Sequence, residues 1–537
     1  MENILRGKKA KSEVIKGMEI LANVIGDTLG PRGRNVIIDS GIDYPVITND
    51  GASIAKEMFL TSPFKDIGMR VLKEASLKTN ELMGDGTTTA IVLSESILRY
   101  GKKYLSKGKN VSLLKDELDK IYIDICRYVD QISKKDISSK DIKNLAYVSS
   151  GNIKNANILK EIYEKGDINS CFIEDRNVEE TSFEILDGIY LDEGYISEYL
   201  NTSSGFKDIL NPYIILFDGE LESIRNMVRV LEEIKSNNEK VVIIAKDFSK
   251  EARNSIIYNY MNNIIDITAI KMPEYFGMTK DFFKDLSINI NTNIFTNENE
   301  FLDVSIEDLV KVKNVKLSKS KTYIIPEKDK KENIEKILFE KKKLQDLIKS
   351  EKDKSKKERL KKRLSIYESK ISNIKIGAQT EAERKNMKLK LEDAIATCIS
   401  SLEGGALEGG GLAFLKISKF LECEKAKLKL NKKQMSKELY KIKKDAYNIL
   451  IESLKVPFNK IVLNSGKNPK KIYKEIRKKD FNIGFNAEDF SFASMYDAGI
   501  IDSKLGQLTA LKTALSVSLM VLSMSSVIYK DLDYDIE

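Results

Sequence analysis

Residues 84–90, with the sequence GDGTTTA, combine features that can bind a phosphate. Glycine lets the backbone approach a ligand closely, and the threonines supply hydroxyl and amide donors at the start of an apolar helix, whose N-terminus favours an anion. Asp85 adds a carboxylate of the kind that Mg²⁺ accepts as a ligand. An ordinary helix N-cap is the alternative interpretation, and a Walker loop is excluded because no Gly-Lys-Ser/Thr follows the glycines.

Two further turns contain residues that could act at the same site. Residues 28–31 end the first helical segment with a glycine turn whose amides could face phosphates. Asp50 lies in the sequence TNDG after a short strand and could approach a metal ion. Each turn by itself is also explained as a helix stop or as a common Asx-Gly turn. Their chemistry is informative only together with residues 84–90.

The sequence contains no histidine, and its four cysteines form no CxxC pair. This leaves too few soft ligands for a zinc site. Scattered cysteines fit a reducing compartment, and we expect a cytoplasmic location. Near the N-terminus, Val14, Met18, Leu21 and Ile25 recur at helical spacing, which predicts a core helix rather than a signal peptide.

Hydrophobic periodicity predicts several domains in this chain of 537 residues, because single cores stop growing well before this length. Residues 1–130 have the pattern of long helices interrupted by one hairpin, and from residue 381 the pattern is helical again. Between them, apolar strands alternate with helices, as is typical of an α/β domain. The predicted hairpin strands are residues 35–39 and 45–48, the predicted middle strands are residues 212–217, 241–245 and 264–270, and the predicted helices between them are residues 220–236 and 249–262. We therefore expect one domain inserted into another.

Two segments could indicate a binding partner: a basic segment could bind an anionic partner, and an uncharged segment could contact a membrane. The formal net charge of +8 is spread over interspersed charges, except in residues 352–363, which are strongly basic. Leucines and isoleucines flank that segment at helical spacing, which predicts a turn inside a helical hairpin. Residues 513–529 are uncharged but short for a bilayer span and rich in serine, which favours a buried or subunit-contact helix.

Six motifs occur in an order that resembles the group I chaperonin family, the GroEL type of bacteria and organelles. They are GDTLGPRGRNVIID (26–39), ITNDGASIA (47–55), GDGTTTAIVL (84–93), LEDAIAT (391–397), GGALEGGGLA (404–413) and DAGIIDSKL (497–505). The resemblance extends from about residue 6 to about residue 525. On these motifs the chain is identified as a divergent member of that family.

The resemblance implies a multidomain α and α/β fold, the chaperonin fold, with three domains. A split helical equatorial domain, which binds ATP and makes the ring contacts, comprises residues 1–131 and 404–537. A split intermediate hinge domain comprises residues 132–186 and 372–403, and an inserted apical α/β domain that binds polypeptides comprises residues 187–371.

The family's nucleotide pocket, carried over by motif, falls on residues from both ends of the chain. These are Thr28, Leu29, Gly30, Pro31, Asn49, Asp85, Gly86, Thr87, Thr88, Thr89, Gly410, Asn486, Ala487, Glu488 and Asp502. The resemblance implies that Asp85 holds Mg²⁺, that Asp393 orients or deprotonates the attacking water, and that Asp50 helps to arrange the phosphates. The implied cofactors are ATP and Mg²⁺, and the resemblance does not decide whether K⁺ also binds. Phosphoryl transfer suits such a site because it needs positioning and charge neutralisation more than covalent help.

The resemblance also implies a cage that captures unfolded polypeptides on an apolar rim. The rim residues carried over by motif are Tyr195, Ser197, Tyr199, Leu200, Val228, Leu231, Ile257 and Tyr258. Without the resemblance, apolar residues at this spacing would more often be core. A ten-kilodalton-class co-chaperonin lid and a homo-oligomer of two stacked seven-membered rings are the further implied partners. No specific nucleic acid and no membrane are expected.

Several positions depart from the family's pattern. Asn49 replaces a lysine near the phosphates, Glu193 replaces an arginine that pairs between subunits, and Arg253 interrupts the apolar rim. Residues 369–370 are Ser-Lys where the upper hinge has a glycine pair, and the C-terminus lacks the Gly-Gly-Met tail. These differences bear on subunit coupling, hinge amplitude and client affinity.

Two rival functions are compatible with the sequence. The first is a chaperonin-like polypeptide-binding or moonlighting protein without productive ATP turnover, against which the intact Asp50, Asp85 and Asp393 argue. The second is a nucleic-acid-binding protein built on residues 352–363, which has no aromatic platform and no recognised binding motif. Phosphate release tests the first rival, and a salt titration with generic DNA tests the second.

Overall fold

The chain divides into two compact units in the computed structural model. The first unit comprises Met1–Glu164, Asp175–Thr181 and Ile376–Glu537, and the second comprises Lys165–Glu174 and Ser182–Lys375. The first unit is therefore assembled from both ends of the chain, whereas the division into three domains stays a prediction. The structure describes residues 4–39, 45–84, 86–105, 110–178, 180–201, 206–272, 279–327, 331–351, 353–368, 370–430, 436–479 and 482–529.

Helices dominate both ends of the chain, and most strands lie in its middle. The helices are α1 (Gly7–Gly26), α2 (Gly51–Glu57), α3 (Pro63–Met83), α4 (Thr87–Leu105), α5 (Val111–Ile132), α6 (Ser139–Ser150), α7 (Ile153–Lys165), α8 (Val228–Ser236), α9 (Lys250–Met261), α10 (Thr279–Ile290), α11 (Lys331–Ser350), α12 (Lys354–Glu368), α13 (Glu381–Gly404), α14 (Leu412–Leu430), α15 (Lys437–Ser453), α16 (Val456–Asn464), α17 (Pro469–Lys478) and α18 (Lys504–Ser523). The strands are β1 (Ile4–Arg6), β2 (Val36–Ile38), β3 (Val46–Thr48), β4 (Cys171–Val178), β5 (Ser182–Asp187), β6 (Ile189–Leu191), β7 (Lys207–Leu210), β8 (Tyr213–Leu221), β9 (Lys240–Phe248), β10 (Asp266–Lys271), β11 (Ile294–Phe295), β12 (Val310–Lys311), β13 (Asn314–Leu317), β14 (Thr322–Ile325), β15 (Lys370–Gly377), β16 (Ala406–Glu408), β17 (Ile483–Phe485), β18 (Phe492–Ser494), β19 (Ile501–Ser503) and β20 (Ser526–Ile528).

Residues from both chain ends build the core of the first unit. The apolar stripe of α1 packs with side chains of α3, α4 and α18 in one hydrophobic cluster. Next to it, β1 pairs antiparallel with β20, with Leu5 opposite Val527. The predicted hairpin is present as β2 and β3, with Val36 opposite Thr48. This core therefore takes buried aliphatic side chains, each contributing roughly 1.5–3 kcal/mol, from both ends of the chain.

Helix α18 is long and apolar enough to cross a membrane by length and composition. However, 56% of its most apolar stretch is buried inside the protein. Leu511, Ala514 and Leu515 pack against α4, α5 and α15 in the core of the first unit. The helix therefore has the environment of a core helix, as its sequence predicts.

A parallel sheet forms the centre of the second unit. Its strand order is β10-β9-β8-β11, and β12 adds to β8 in the antiparallel direction. The predicted strands at residues 212–217, 241–245 and 264–270 are confirmed as β8, β9 and β10. An antiparallel sheet of order β6-β14-β13-β7 lies in the same unit, and a separate three-stranded sheet has the order β4-β15-β5.

Two local predictions are wrong. The helix predicted at residues 220–236 begins only at Val228, because β8 resumes its pairing with β9 beyond an irregularity, with Glu220 opposite Asp247 and Leu221 opposite Phe248. The helical hairpin predicted around the basic segment is present as α11 and α12, but residues 354–363 of that segment lie inside α12 rather than in the turn between the helices. There, Arg363 forms a bidentate ion pair with the fully buried Asp285 of α10, at 2.7 and 3.0 Å.

A capping box begins α6 in the first unit. Ser138 and Asp141 exchange hydrogen bonds, and Lys134 donates to the Asp141 carboxylate at 2.6 Å. Burial acts to raise the pKa of Asp141, but the hydrogen bonds from Lys134 and Ser138 outweigh it and hold that pKa below its ordinary value. The box fixes the start of the helix whose C-terminal end lines the cavity described next.

Candidate functional site

A cavity of about 590 Å³ lies in the first unit and is lined by residues from both ends of the chain. Every predicted nucleotide-site residue that the structure describes lines it, as do Asp50 and Asp393. Asp85 lies outside the described residues. The described members are Thr28, Leu29, Gly30, Pro31, Asn49, Gly86, Thr87, Thr88, Thr89, Gly410, Asn486, Ala487, Glu488 and Asp502. The structure thus brings together motifs that are hundreds of residues apart in sequence.

Two glycines allow the lining elements to approach one another. Gly84 has a φ of +66°, and a Cβ atom there would lie 2.0 Å from the Cβ of Ala396. Helix α13, which carries Asp393, can therefore approach the turn before α4 only because position 84 is glycine. A Cβ atom at Gly51 would lie 2.4 Å from the hydroxyl oxygen of Thr88, so the start of α2 depends on glycine in the same way.

Arg32 connects the N-terminal turn to the loop that follows β17. Its guanidinium donates to the carbonyl oxygen of Ala487 at 3.0 Å and to that of Glu488 at 2.7 Å. The same group lies over the ring of Phe490, 4.3 Å from its centroid. The resemblance did not assign Arg32, although it lies beside the assigned residues 28–31. Its role here is to position the two loops that form one side of the cavity.

Asp50 is the N-cap of α2. Its two carboxylate oxygens accept hydrogen bonds from the amides of Ala52, at 3.3 Å, and Ser53, at 2.7 Å. Asp50 therefore caps α2, as the ordinary interpretation of the TNDG turn predicts, and it also lines the cavity. The carboxylate is held in a fixed orientation by the helix that it caps.

Asp502 is positioned by strand pairing. It lies on β19 opposite Leu407 of β16, and the side-chain amide of Gln507 donates to its carboxylate. The turn after β16 then brings Gly410 to the cavity, supported by the Gly409 amide, which donates to the Ile500 carbonyl at 2.8 Å. The pairing of β16 with β19 thus brings the glycine cluster next to the DAGIIDSKL motif.

The cavity has an apolar wall and a polar wall. The apolar wall contains Phe414, Pro457, Ile461, Phe485 and Ile500. The polar wall contains threonine hydroxyls, backbone amides at the start of α4 and several carboxylates. A cavity whose lining combines apolar side chains with a helix N-terminus suits a ligand that has both a flat ring and phosphates.

The donor atoms in the cavity are compatible with Mg²⁺. Within the described ranges, no group of three or more histidine, cysteine or acidic side chains could hold a metal ion by itself. Mg²⁺ is commonly held by one or two carboxylates together with substrate phosphates and waters, rather than by an all-protein cage. Asp50 and Asp393, which both line the cavity, supply such carboxylates.

Two further lining residues, Tyr147 and Lys390, were not assigned from the sequence. The Tyr147 hydroxyl donates to the Glu488 carboxylate at 3.2 Å, and burial, with Glu488 nearby, raises the pKa of Tyr147. Tyr147 lies in no glycine-rich motif, so no local pattern marks it. Lys390 could have been found, because it precedes Asp393 by one turn of the same helix.

The predicted rim residues of the second unit divide into exposed and buried groups. Tyr199 is 65% exposed, Tyr258 64% and Val228 46%. Tyr195 and Ile257 are half-buried against the core, and Ser197 caps a short 3₁₀ turn through the amide of Tyr199. Leu200 and Leu231 are buried within that core.

The surface role predicted for Leu200 and Leu231 is therefore corrected. Both side chains are on the inner faces of their segments, where they pack with the β8 and β9 side chains Ile215 and Ile243. Met261, which was not assigned, is 57% exposed instead. It lines a second cavity, of about 650 Å³, together with Tyr199.

Comparisons with known proteins match nearly the whole chain. The model of the TCP-1/cpn60 chaperonin family matches residues 21–531. The chain is 31% identical to the protein named chaperonin GroEL of Acholeplasma laidlawii, over 542 residues that include 100% of this chain and 98% of that protein.

Two solved structures of the chaperonin gp146 from the Pseudomonas aeruginosa bacteriophage EL, both in the presence of ATP-BeFx, share the fold. One superimposes with a TM-score of 0.75 at 17% identity, covering 98% of this chain and 99% of the other. The second crystal form gives a TM-score of 0.66 at 16% identity with the same coverage. The multidomain α and α/β fold predicted from the motifs is confirmed.

Proposed function

This chain belongs to the TCP-1/cpn60 chaperonin family, and we propose that it is an ATP-dependent molecular chaperone of the cytoplasm. In this proposal it captures unfolded polypeptides and encloses them in a ring-shaped cage, with ATP hydrolysis driving the cycle. The observation that carries the proposal is the cavity of the first unit. It gathers a threonine-rich helix start, carboxylates and an apolar wall from both ends of the chain.

The proposed roles follow from positions in the cavity. The hydroxyls and amides of Thr87, Thr88 and Thr89 bind phosphate oxygens at the N-terminus of α4. Asp393 accepts a hydrogen bond from the attacking water and orients it towards the terminal phosphate. Asp50, which lines the cavity, helps to arrange the phosphates, and the resemblance alone assigns to Asp85 the role of holding Mg²⁺, which when bound would neutralise charge on the phosphates. Such a site works by positioning and electrostatics.

Client capture is proposed for the exposed apolar side chains of the second unit. Tyr199, Val228, Tyr258 and Met261 expose apolar area on the second unit, and a contiguous exposed apolar surface commonly marks a protein-binding site. Arg253 on α9 makes the surface less apolar, although its aliphatic stem can still pack against a client. A ten-kilodalton-class co-chaperonin and a homo-oligomer of two stacked seven-membered rings are the partners proposed by family.

Two measurements on the purified full chain test the proposal. The first is phosphate release from ATP with and without Mg²⁺. The second is light scattering from a chemically denatured client diluted into buffer with and without the chaperone. We expect Mg²⁺-dependent hydrolysis and suppressed aggregation. A chain that suppresses aggregation but releases no phosphate would instead support the rival without ATP turnover, and a chain that does neither would refute the function.

A further inference from the structure

The cavity of the first unit has an uneven charge balance. Four acidic side chains line it, namely Asp50, Asp393, Glu488 and Asp502. Among the lining residues that the structure describes, Lys390 is the single cation. A triphosphate would add several negative charges beside these carboxylates, which repel it. Binding therefore requires positive charge at the phosphates, from Mg²⁺ and from the protein.

Neighbouring cations of the first unit are already engaged elsewhere. Lys460 pairs with Asp27 at 2.9 Å, and Lys134 pairs with Asp141 at 2.6 Å. Lys416 pairs with Glu408, and Arg32 donates to two backbone carbonyls. By contrast, Lys390 makes no ion pair or hydrogen bond with any other residue in the described part of the chain. Its ammonium group is available to a ligand.

Lys390 also has a defined relation to Asp393. The two residues are three positions apart on α13, so their side chains point to the same face of the helix, and both line the cavity. A lysine is a flexible point charge with three donors, which suits a phosphate whose exact position varies. One helical turn thus presents a cation and a carboxylate to the same part of the cavity.

We propose that Lys390 binds the terminal phosphate of ATP and makes the site prefer the triphosphate over the diphosphate. The inference rests on the proposed function. Asp393 and Lys390 then act on the same phosphate, since one orients the water and the other neutralises charge on the oxygens. When the terminal phosphate leaves, Lys390 loses this partner, so we expect affinity for ADP to be nearly independent of it.

The test compares Lys390→Ala and Lys390→Arg with the parent protein. Equilibrium binding of ADP and of a β,γ-imido analogue of ATP is measured with Mg²⁺, together with phosphate release from ATP. Loss of one charge-assisted hydrogen bond lowers affinity by about 10- to 100-fold. We expect Lys390→Ala to lose that factor for the triphosphate analogue and to change by less than about threefold for ADP. Lys390→Arg should keep most of the preference.

Two matched variants complete the design. Lys388→Ala removes a cation from the same helix at a position that does not line the cavity, so it should leave both affinities unchanged. Asn49→Lys, introduced together with Lys390→Ala, places a cation on the cavity wall at the residue before the N-cap of α2. The double variant should recover part of the affinity for the triphosphate analogue. This recovery would not occur if Lys390 only stabilised the fold.

The outcomes separate this inference from the proposed function. Parent protein that binds neither nucleotide would refute the nucleotide site and the inference together. Parent protein that binds both, with an unchanged triphosphate preference in Lys390→Ala, would overturn the role of Lys390 alone. An equal loss of affinity for both nucleotides in Lys390→Ala would also overturn it, because a general effect is not selective for the terminal phosphate.

Discussion

Replacing Asp393 by alanine should separate nucleotide binding from hydrolysis. The Asp393 side chain is half-buried and faces the 590 Å³ cavity, while the neighbouring Ala394 is fully buried and is not altered. Truncation at position 393 therefore opens no void in the core, and we expect the free energy of unfolding to change by less than about 1 kcal/mol. Any loss of hydrolysis then reports on the reaction and not on the fold.

The expected magnitude follows from the proposed role of the carboxylate. A positioned group that orients or deprotonates water contributes about 10²- to 10⁴-fold, or about 2.7–5.4 kcal/mol of activation free energy. Binding should change little or tighten slightly, because one negative charge next to the phosphates is removed. Asp393→Ala should thus bind Mg²⁺-ATP as the parent does while releasing phosphate at least about a hundred times more slowly.

The assay is phosphate release at saturating ATP, with equilibrium binding measured in parallel. Glu392→Ala is the matched control, since it lies one residue earlier on α13, is exposed and does not line the cavity. It should hydrolyse ATP at the parent rate. Hydrolysis by Asp393→Ala at the parent rate would refute the assignment of the water-orienting role to this residue.

Three further perturbations address the rim, a buried ion pair and acid stability. Tyr199→Glu should abolish capture of a denatured client in a pull-down assay while ATP hydrolysis persists. The control Leu302→Glu, at a side chain that is 54% exposed and outside the 650 Å³ cavity, should leave capture intact. Equal capture by the two variants would argue against the rim. Arg363→Met should lower the free energy of unfolding in urea by about 3 kcal/mol, because it leaves the fully buried Asp285 without its bidentate partner, and an unchanged midpoint would contradict that estimate. Asp141 has a pKa below its ordinary value, so its contribution to stability is complete above that ordinary value and is lost as the pH falls through the lowered pKa. Asp141→Asn should therefore show a shallower loss of stability on acidification than the parent, and parallel pH profiles would disprove this.

The sequence predicted the central elements of the second unit because their signals are local. Strands β8, β9 and β10 are continuous apolar runs, as expected for strands buried on both faces of a parallel sheet. The helix predicted from residue 220 was wrong because its first residues belong to β8, whose pairing with β9 continues beyond an irregularity. Pairing between strands depends on tertiary partners, which local periodicity does not report.

Site residues that lie in recognisable motifs could be predicted from the sequence. Site residues whose role depends on tertiary contacts could not. Every described residue that the family resemblance assigned to the nucleotide pocket lines the cavity. Arg32 and Tyr147 were missed because their partners, in the loop after β17, lie hundreds of residues away. Leu200 and Leu231 were placed on the rim by the family motif, although their sequence pattern alone favours a core position, which is where the structure has them.

The most direct test of the account is release of a bound client on addition of ATP. A fluorescently labelled, chemically denatured protein is first bound to the purified chain without nucleotide, and its anisotropy is followed after Mg²⁺-ATP is added. If ATP drives client release, the client binds stably without nucleotide, and its anisotropy falls when Mg²⁺-ATP is added but not when buffer alone is added. A client that is never bound, or one that stays bound at the same anisotropy after ATP is added, would contradict ATP-driven chaperone action.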